Sequence, residues 1–427
     1  MDERTTSRAT AMDTSAPAPA SPAGGDAMNV DDVVNAPSAK EPVDASAAAA
    51  PAYTSTKGAP DEGAGAPALD AVGRYVLAAT VSAGGFEKPL SCVRWSPTGE
   101  LLCCCGADGR AEVFGEGAPG AWTSSAVLDA HAEGINDVVW GQDDSFCVSV
   151  SDDKTAKLWD VERALCAREF AGHESYVFCA ALNPSNTLLA TGSFDETVKV
   201  WDIRVPHALK TINAHSEPIT SVAFNGYDGT VIASGSYDGL LRLWDTASGE
   251  CLATIFAEQA GLSAKHAPVS HAAYSDSGEY VLASTHDDII RLWRVDGNPC
   301  RLKREFEGRR ARRYCCKAAF HFACHRRSQD INRHAVIAGS EDGSIHVWGM
   351  QTSALENRIV DAHDSPVLGV DPHPKRDLIA SCALKDKTAK LWEFVVNPEC
   401  EADEPPPPVP PKQQRGIVYP PGYVKVR

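Results

Sequence analysis

The stretch that decides the fold is "SFDETVKVWD" at residues 193–202. Its pattern precedes it in "SDDKTAKLWD" (151–160) and returns in "SYDGLLRLWD" (236–245) and "SEDGSIHVWG" (340–349). In each copy an aspartate stands six residues before a tryptophan, and seven copies of this spacing follow one another, with Phe114 in place of the first tryptophan. A repeat with a period of 42 to 55 residues predicts one supersecondary unit used seven times.

Three residue types recur at fixed places in the repeat. The aspartates are Asp108, Asp153, Asp195, Asp238, Asp287, Asp342 and Asp386, and the tryptophans are Trp159, Trp201, Trp244, Trp293, Trp348 and Trp392. A histidine stands 27 to 29 residues before the aromatic residue in five copies, as His131, His173, His215, His266 and His363. We expect each unit to bury a hydrogen-bonded chain of histidine, aspartate, tryptophan and a strand serine or threonine, with a structural rather than catalytic role.

Every copy contains short runs in which apolar residues alternate with others, such as "TVKVW", and turn residues separate these runs. The pattern indicates strands joined by turns. The period is typical of a WD40 blade. We therefore predict an all-β, seven-bladed WD40 β-propeller over residues 73–395. No fourth strand follows Trp392, whereas "RYVLAAT" (74–80) precedes the first copy without a blade of its own. This strand is predicted to complete the last blade, which leaves no open sheet edge.

The flanking segments differ in composition from the repeat. Residues 1–72 are rich in alanine, proline and serine with a net charge of −7, and we predict that they are disordered. The tail over 396–427 carries "PPPPVPP" and favours polyproline II, as a docking segment for a proline-reading domain or as a solvated tail. The 427-residue chain has a net charge of −17, which excludes a general polyanion binder.

The fourteen cysteines are scattered, with no Cys-x-x-Cys pair, and no signal peptide or apolar membrane span is recognisable. This pattern predicts a soluble protein in a reducing intracellular compartment.

Several longer stretches are more particular than a generic repeat. They include "YVFCAALNPSNTLLATGSFDETVKVWD" (176–202), "SYDGLLRLWDTASGECL" (236–252) and "ALKDKTAKLW" (383–392). From about 74 to 394 the chain resembles the WD-repeat protein 5 family, which consists of non-enzymatic subunits of the COMPASS or MLL/SET1 histone H3 methyltransferase assemblies. The resemblance implies a nuclear adaptor without a cofactor, which carries two peptide sites on opposite faces.

The first implied site receives an arginine of a histone H3 tail or of the SET-domain methyltransferase subunit in the central channel. The matching positions are Ser91, Ala107, Asn136, Asp152, Phe178, Thr220, Tyr237, Ser270, Tyr314, Cys315 and Lys317. Phe178 is expected to stack on the guanidinium plane, and hydroxyl groups are expected to accept its N–H bonds. Asn136 replaces the usual serine. Lys317 stands where animal members have a second phenylalanine, and its charge repels a guest arginine unless the ammonium points outward.

The second implied site lies between blades 5 and 6 and receives an acidic and aliphatic peptide of another subunit of the complex. The matching positions are Ser277, Tyr280, Leu292, Arg304, Phe320, Phe322 and Gln351. Their aromatic and aliphatic members are expected to form an apolar groove, beside which Arg304 is available for a carboxylate.

The segment 300–334 departs most from the repeat, with eleven Lys and Arg residues and a net charge of +8. Three interpretations remain open: a solvated loop, a landing patch for an acidic peptide, and a contact to nucleic acid. The group Cys315, Cys316, His321, Cys324 and His325 lacks the ligand spacing of a zinc site, and we predict no metal.

The sequence contains no nucleophile elbow, phosphate-binding glycine loop or zinc-protease motif, so we predict a scaffold and not an enzyme. The leading hypothesis is an adaptor of a histone H3 lysine methyltransferase complex. The alternative is a general WD40 scaffold in a cytoplasmic, RNA-processing or ubiquitin-ligase assembly. Phe178, Tyr237 and Tyr314 favour the first, and Lys317 opposes it.

Overall fold

The structure is a computed structural model that describes residues 73–82, 85–118, 120–129, 131–255, 267–297, 299–322 and 334–396. Within these ranges the chain forms seven four-stranded antiparallel sheets. The prediction of an all-β, seven-bladed propeller is therefore confirmed. Of the two predicted tails, residues 1–72 lie outside the described ranges, as does the tail over 396–427 apart from Val396, which is the last residue of a strand.

Each of the first six blades consists of four consecutive strands. Blade 1 contains β2 (Leu90–Trp95), β3 (Leu101–Gly106), β4 (Arg110–Ala118) and β5 (Ala121–Asp129), and blade 2 contains β6 (Ile135–Trp140), β7 (Phe146–Ser151), β8 (Thr155–Asp160) and β9 (Leu165–Ala171). Blade 3 contains β10 (Val177–Leu182), β11 (Leu188–Ser193), β12 (Thr197–Asp202) and β13 (Ala208–Asn213), and blade 4 contains β14 (Ile219–Phe224), β15 (Val231–Ser236), β16 (Leu241–Asp245) and β17 (Cys251–Ile255). Blade 5 contains β18 (Val269–Tyr274), β19 (Tyr280–Thr285), β20 (Ile290–Arg294) and β21 (Arg301–Phe306), and blade 6 contains β22 (Ala318–Phe322), β23 (His334–Gly339), β24 (Ile345–Gly349) and β25 (Leu355–Ile359).

Blade 7 is assembled from both ends of the repeat region. Its strands are β26 (Val367–Pro372), β27 (Leu378–Ala383), β28 (Thr388–Val396) and β1 (Gly73–Ser82), in the order β26-β27-β28-β1. Thr80 lies opposite Lys390 and Tyr75 opposite Phe394 in the antiparallel register. The predicted closure by the N-terminal strand is confirmed, and it gives β28 a partner on its outer side.

Burial decreases from the inner to the outer strands of a blade. In blade 3, five of the six residues of β11 are buried, whereas in β13 only Ile212 is buried and the others are exposed or partly buried. Such a gradient is expected where inner strands face neighbouring sheets on both sides and the outer strand borders solvent. The channel is consequently surrounded by the first strands, which contact each other from β2 round to β26 and back to β2.

The turn between the second and third strands requires an unusual backbone conformation just after its aspartate. Lys154 and Glu196 have φ values of 70° and 67° there, and Gly109 has 83°. At Gly109 an added Cβ would lie 2.6 Å from the carbonyl oxygen of His131, so this close approach admits only glycine. This turn between the second and third strands thus places its aspartate beside the chain segment that leads into the first strand of a blade.

Among the residues that the structure describes, four blades contain the full hydrogen-bonded chain. In blade 3, His173 Nδ1 lies 2.8 Å from Asp195 Oδ2, and His173 Nε2 lies 2.8 Å from Thr191 Oγ1. The indole N–H of Trp201 donates to the same threonine oxygen at 2.8 Å. Burial alone would raise the pKa of Asp195, but hydrogen bonds from His173 and Thr197 hold it well below its usual range. The blades of His131, His215 and His363 repeat this arrangement with a serine in place of the threonine.

The expectation that every blade holds this chain is wrong for blades 1 and 6, where no histidine occupies the position. In blade 1 Asp108 accepts instead from the backbone N–H of Glu87 at 2.7 Å. In blade 6 Asp342 pairs with Arg358 at 2.8 Å, and the indole N–H of Trp348 donates to a backbone carbonyl. In these two blades the turn aspartate, partly buried at Asp108 and exposed at Asp342, is held by donors other than histidine.

Blade 5 uses an arginine. Arg291 Nη2 lies 2.7 Å from Asp287 Oδ2, and Arg291 Nη1 donates to Thr285 Oγ1 at 2.7 Å. The predicted His266 lies outside the described residues.

Candidate peptide-binding sites

The inner edge of the propeller carries one side chain from each blade near the start of its first strand. In six blades the register of the first strand shifts at its second residue, which marks a β-bulge. The bulged residues are Ser91, Asn136, Phe178, Thr220, Ser270 and Leu368. Lys317, just before β22, accepts from the backbone N–H of Gly339 and so holds the place one residue after the bulge, as Asp137 does in blade 2. A bulge leaves a residue outside the strand ladder and redirects its side chain. We refer to the six bulged residues together with Lys317 as the channel ring.

The hydroxyl groups of the ring donate to backbone carbonyls. Ser91 Oγ donates to Cys105 O at 3.1 Å and also to a carbonyl of blade 2, and Thr220 Oγ1 donates to Val269 O of blade 5 at 2.7 Å. Because each hydroxyl hydrogen is donated to a carbonyl, the hydroxyl oxygens keep lone pairs that can accept hydrogen bonds from the N–H groups of a guest. Ser270 donates to Ser284 O at 3.1 Å but is only 2% exposed.

Asn136 and Asp152 form the polar rim on the blade 2 side. Asn136 Nδ2 donates to Asp152 Oδ1 at 2.7 Å and to Val177 O at 2.9 Å. Burial raises the pKa of Asp152 to about 6, the hydrogen bond from Asn136 opposes that shift, and the charges of Glu133 and Asp153 add to it. Ala107, which also belongs to the predicted site, is buried at 7% exposed.

Phe178 belongs to a row of three aromatic rings. Its ring centroid lies 5.9 Å from that of Phe194 in an edge-to-face arrangement, and Phe194 lies 6.1 Å from Tyr176 in the same way. Phe194 is 38% exposed. Edge-to-face packing of this kind holds Phe178 in place, and its side chain is only partly buried.

Tyr237 and Cys315 meet on the other side of the mouth. The Tyr237 hydroxyl lies 3.3 Å from Cys315 Sγ, and its ring stacks on His286 with centroids 6.0 Å apart and planes 11° apart. Tyr314 precedes Cys315, and the guanidinium carbon of Arg313 lies 5.4 Å from the centroid of the Tyr314 ring. The structure therefore brings Tyr237, Cys315 and Tyr314 together, with His286 as an additional member.

Lys317 points into the channel and not outward. Its ammonium lies 2.6 Å from Asp137 Oδ1 and 3.4 Å from Cys92 Sγ, and its side chain is 16% exposed. Asp137 belongs to blade 2 and Cys92 to blade 1, whereas Lys317 belongs to blade 6. Because blades 6 and 2 are not neighbours in the ring, the lysine side chain crosses the channel.

Asp137 is shared between two cations. Arg94 Nε lies 3.7 Å from the carboxylate oxygen that binds Lys317, and Arg94 Nη1 lies 3.2 Å from Asp371. Burial alone would raise the pKa of Asp137, but the charges of Lys317 and Arg94 outweigh it and lower the pKa to about 2. The lysine charge that the sequence places in the channel is thus matched by a buried carboxylate.

The second predicted groove is assembled only in part. Tyr280 and Phe320 are partly buried and pack on a core cluster that contains Leu292, which is 2% exposed and so lies beneath the surface. Arg304 Nε donates to Gln351 O at 3.1 Å and links blade 5 to blade 6. Ser277 is exposed at the turn between β18 and β19, and the side chain of Phe322 lies outside the described residues.

The basic stretch is divided by the fold. Arg304 lies on the edge of the second groove, whereas the arginines over 309–313 lie at the channel mouth beside Tyr314. Arg309 is 4% exposed and donates to Ser284 Oγ and to Gly339 O. The solvated-loop interpretation therefore does not apply to Arg309.

No group of three or more His, Cys, Asp or Glu residues that could hold a metal occurs in the described ranges, which leave out Cys324 and His325. Across the same ranges, no helix is long and apolar enough to cross a membrane.

The repeat did not reveal four residues that now belong to the channel and its mouth. Tyr176 and Phe194 extend the aromatic row, His286 stacks on Tyr237, and Asp137 holds Lys317. Of these four residues, only Asp137 could have been identified from the sequence, because an aspartate at an inward position of an apolar strand requires a cation.

A model of one known family matches the chain. Residues 82–393 match the WDR5 beta-propeller domain. Among curated proteins, the chain is 29% identical over 279 residues to the COMPASS component SWD3 of Saccharomyces cerevisiae, a match that covers 64% of this chain and 85% of that protein. It is 25% identical over 319 residues to the human pre-mRNA-processing factor 17, which covers 72% of this chain and 51% of that protein.

A third relative is similar over most of both chains. The WD repeat-containing protein 82 of Drosophila melanogaster is 24% identical over 318 residues, which covers 73% of this chain and 93% of that protein. The family model covers well over half of the chain and coincides with the seven blades. The chain therefore belongs to the family of WDR5-type WD40 β-propeller domains.

Proposed function

We propose that this propeller is a non-catalytic adaptor of a COMPASS-like histone H3 lysine methyltransferase complex in the nucleus. Its central channel binds an arginine side chain of the SET-domain methyltransferase subunit or of the histone H3 tail. The similarity to the COMPASS component SWD3 supports the type of complex. The channel ring supports the type of guest.

The observation that carries the proposal is an aromatic side chain together with hydroxyl groups whose hydrogen atoms already donate to backbone carbonyls. Ser91 and Thr220 donate to carbonyls and leave lone pairs toward the channel. A guanidinium group has five N–H donors, no acceptor and a flat face that stacks on aromatic rings. Phe178 supplies the aromatic face, and Asp152 supplies a carboxylate at the rim.

Lys317 is compatible with a guest arginine because its charge is already neutralised. Its ammonium is bound to Asp137 within the channel, and the pKa of Lys317 is raised because the Asp137 charge outweighs the effect of burial. A guest guanidinium at the mouth therefore meets an ion pair and not an isolated cation. The aliphatic stem of Lys317 takes the place of a second aromatic face.

The groove between blades 5 and 6 receives an acidic and aliphatic peptide of another subunit of the same complex. Tyr280 and Phe320 provide apolar surface, and Arg304 is fixed at its edge by the carbonyl of Gln351. Arg304 Nη1 donates to the carbonyl of Lys303, so part of the guanidinium is engaged and Nη2 remains for a carboxylate.

Calorimetric titration of the full-length protein tests the channel proposal. An unmodified histone H3 N-terminal peptide is compared with a copy in which the arginine nearest the N-terminus is alanine. Micromolar binding that is lost with the alanine copy supports the proposal. Equal binding of the two peptides, or no binding of either, contradicts it.

A second candidate is a general WD40 scaffold in another assembly, such as an RNA-processing complex. The similarity to pre-mRNA-processing factor 17 favours it, although the chain covers about half of that protein. Affinity purification of the tagged protein from its own cells separates the two. The methyltransferase hypothesis requires a SET-domain subunit among the co-purified proteins, whereas the alternative requires a different set of partners.

A further inference from the structure

A short arginine-rich segment borders the channel mouth. It joins blade 5 to blade 6 over residues 308–314 and contains Arg309, Arg310, Arg312 and Arg313. The backbone N–H groups of Arg312 and Arg313 donate to Glu341, which lies in the turn between β23 and β24. In an antiparallel blade this turn lies at the same end as the start of the first strand. The segment is therefore on the face that contains the channel mouth.

We propose that this segment binds a phosphorylated side chain that lies within about three residues of the guest arginine in the same peptide. The proposal rests on the channel function above and adds to it a second specificity element. It makes the propeller a reader of an arginine combined with a nearby phosphate.

The backbone of the segment is fixed before any ligand binds. One carboxylate oxygen of Glu341 accepts from the backbone N–H of Arg312 at 2.7 Å and of Tyr314 at 2.8 Å, as well as from that of Arg313. The backbone N–H of Arg310 donates to Ser340 Oγ at 3.0 Å. A segment held in this way loses little conformational freedom when it binds, which favours affinity.

The segment has an excess of positive charge. Arg310 is exposed, and Arg312 is 72% exposed although its Nε is 2.7 Å from Asp288 Oδ2. Residues 308–314 contain four arginines and no acidic residue, and the described contacts of the segment include the carboxylates of Asp288 and Glu341. An arginine presents a planar fork that binds phosphate through two parallel N–H bonds. A phosphorylated side chain carries a charge of about −1.5 to −2 at pH 7.

Arg309 adds a second, independent feature. It is 4% exposed, it donates hydrogen bonds to the neutral oxygens of Ser284 and Gly339, and its Nε is buried without a partner. Its buried charge therefore lacks a directly bound carboxylate. Such a charge raises the positive potential of the adjacent surface, because it is poorly screened by solvent.

The segment leads directly into the channel mouth. Arg313 lies over the Tyr314 ring, and the neighbouring Cys315 contacts Tyr237 at the mouth. Three extended residues span at most about 10 Å, and this length sets the separation of phosphate and guest arginine that the proposal requires. A nucleic acid suits this place less well, because its binding requires a longer basic surface and the rim also carries Asp152.

Calorimetric titration of the full-length protein at 150 mM salt tests the proposal. The peptides have one central arginine with serine, phosphoserine or glutamate two residues away on either side, and a fourth copy combines phosphoserine with alanine in place of the arginine. We expect the phosphoserine copy to bind about tenfold more tightly than the serine copy. In the variant Arg310→Gln/Arg312→Gln this ratio should fall below about twofold.

Arg204→Gln is the matched control. The Arg204 side chain is 75% exposed and paired with Asp202, and it lies in the turn after β12 at the opposite end of its blade. It should keep the tenfold ratio. Because the readout is a ratio within each protein, a small change in fold or basal affinity cancels.

Three results overturn the proposal: a wild-type ratio near one, a ratio that persists in the double variant, and displacement of the phosphopeptide by a short single-stranded RNA at equal or lower concentration. The last result identifies a nucleic-acid site. Arginine-dependent binding without a phosphate effect rejects this inference and leaves the channel function intact. A phosphate effect that is equal in the alanine copy rejects the channel function and leaves the phosphate site. No binding of any peptide rejects both.

Discussion

The ammonium of Lys317 lies 2.6 Å from a carboxylate oxygen of Asp137, so blade 6 is joined to blade 2 across the central channel. Neighbouring blades elsewhere are held by packing, by hydrogen bonds and by ion pairs such as that of Arg94 with Asp371. This ion pair is different, because it connects two blades that have no common boundary. Its partners are 180 residues apart in the sequence.

Removing the carboxylate should destabilise the fold. Asp137→Asn leaves the Lys317 ammonium buried without a negative partner, and loss of one member of a buried pair costs about 3–5 kcal/mol. The free energy of unfolding, measured in urea, should fall by that amount. Adding Lys317→Met should recover most of it, since Arg94 keeps Asp371 as a partner. A double variant as unstable as Asp137→Asn would show that the pair does not determine stability.

Acid should weaken the fold through the same carboxylate. The pKa of Asp137 is about 2 in the folded protein against an ordinary value of 3.8, so the folded state binds its proton less readily than the unfolded state. Its contribution is complete above pH 4 and is lost as the pH falls from about 4 to 2, by about 2–3 kcal/mol. Urea unfolding at several pH values should show this slope. Asp137→Asn should reduce the slope, and an unchanged slope would contradict the assignment.

Phe178→Ala should separate binding from folding. Stacking of a cation on an aromatic face in a partly desolvated site contributes about 2 kcal/mol, so the affinity for an arginine peptide should fall about 30-fold or more. The melting temperature should change little, because Phe178 is at the inner edge of its blade and only half buried. Equal peptide affinity in the wild type and the variant would contradict the role of the ring.

The contrasting variant is Trp201→Ala. Trp201 is 1% exposed and donates to Thr191, so its truncation should cost about 3–5 kcal/mol and weaken every interaction together. A folded Trp201→Ala protein that lost a single partner would argue against this structural role.

The fold was accessible from the sequence because its determinants repeat. Asp195 and Trp201 serve one local hydrogen-bonded chain, which fixes their spacing in each copy. The direction of the Lys317 side chain was not accessible, because its partner comes from a different blade. The burial of Arg309 was also hidden, since its acceptors in blades 5 and 6 are a serine hydroxyl and a backbone carbonyl. Long-range contacts of single residues leave no periodic signal.

Binding of an arginine peptide should depend on pH through Asp152. Burial raises the pKa of this rim carboxyl to about 6, against the opposing hydrogen bond from Asn136. A guest guanidinium favours the ionised form, so affinity should increase as the pH rises through about 6, by up to about tenfold between pH 5 and pH 7. Titration calorimetry at several pH values measures the change. Asp152→Asn should give a flat profile, and the same slope in that variant would assign it to another group.

Lys317→Phe should strengthen the binding of an arginine peptide. The substitution adds a second aromatic face and leaves the negative charge of Asp137 with one cation fewer, which together should increase the affinity about tenfold. Lys317→Met is the matched control, because it removes the charge and keeps a flexible apolar stem. If charge is the obstacle, both variants bind more tightly than the wild type. If the second ring matters, only the phenylalanine variant does.

Stability provides the independent readout for these two variants. Both leave Asp137 with Arg94 at 3.7 Å as its nearest cation, so both should lose similar unfolding free energy whatever their peptide affinity. A phenylalanine variant that is folded but binds no more tightly than the wild type would mean that the Lys317 side chain, drawn toward Asp137, already leaves room for the guest. The wild-type channel would then bind arginine with one aromatic face and an ion pair, and its affinity would depend mainly on the hydroxyl oxygens of Ser91 and Thr220.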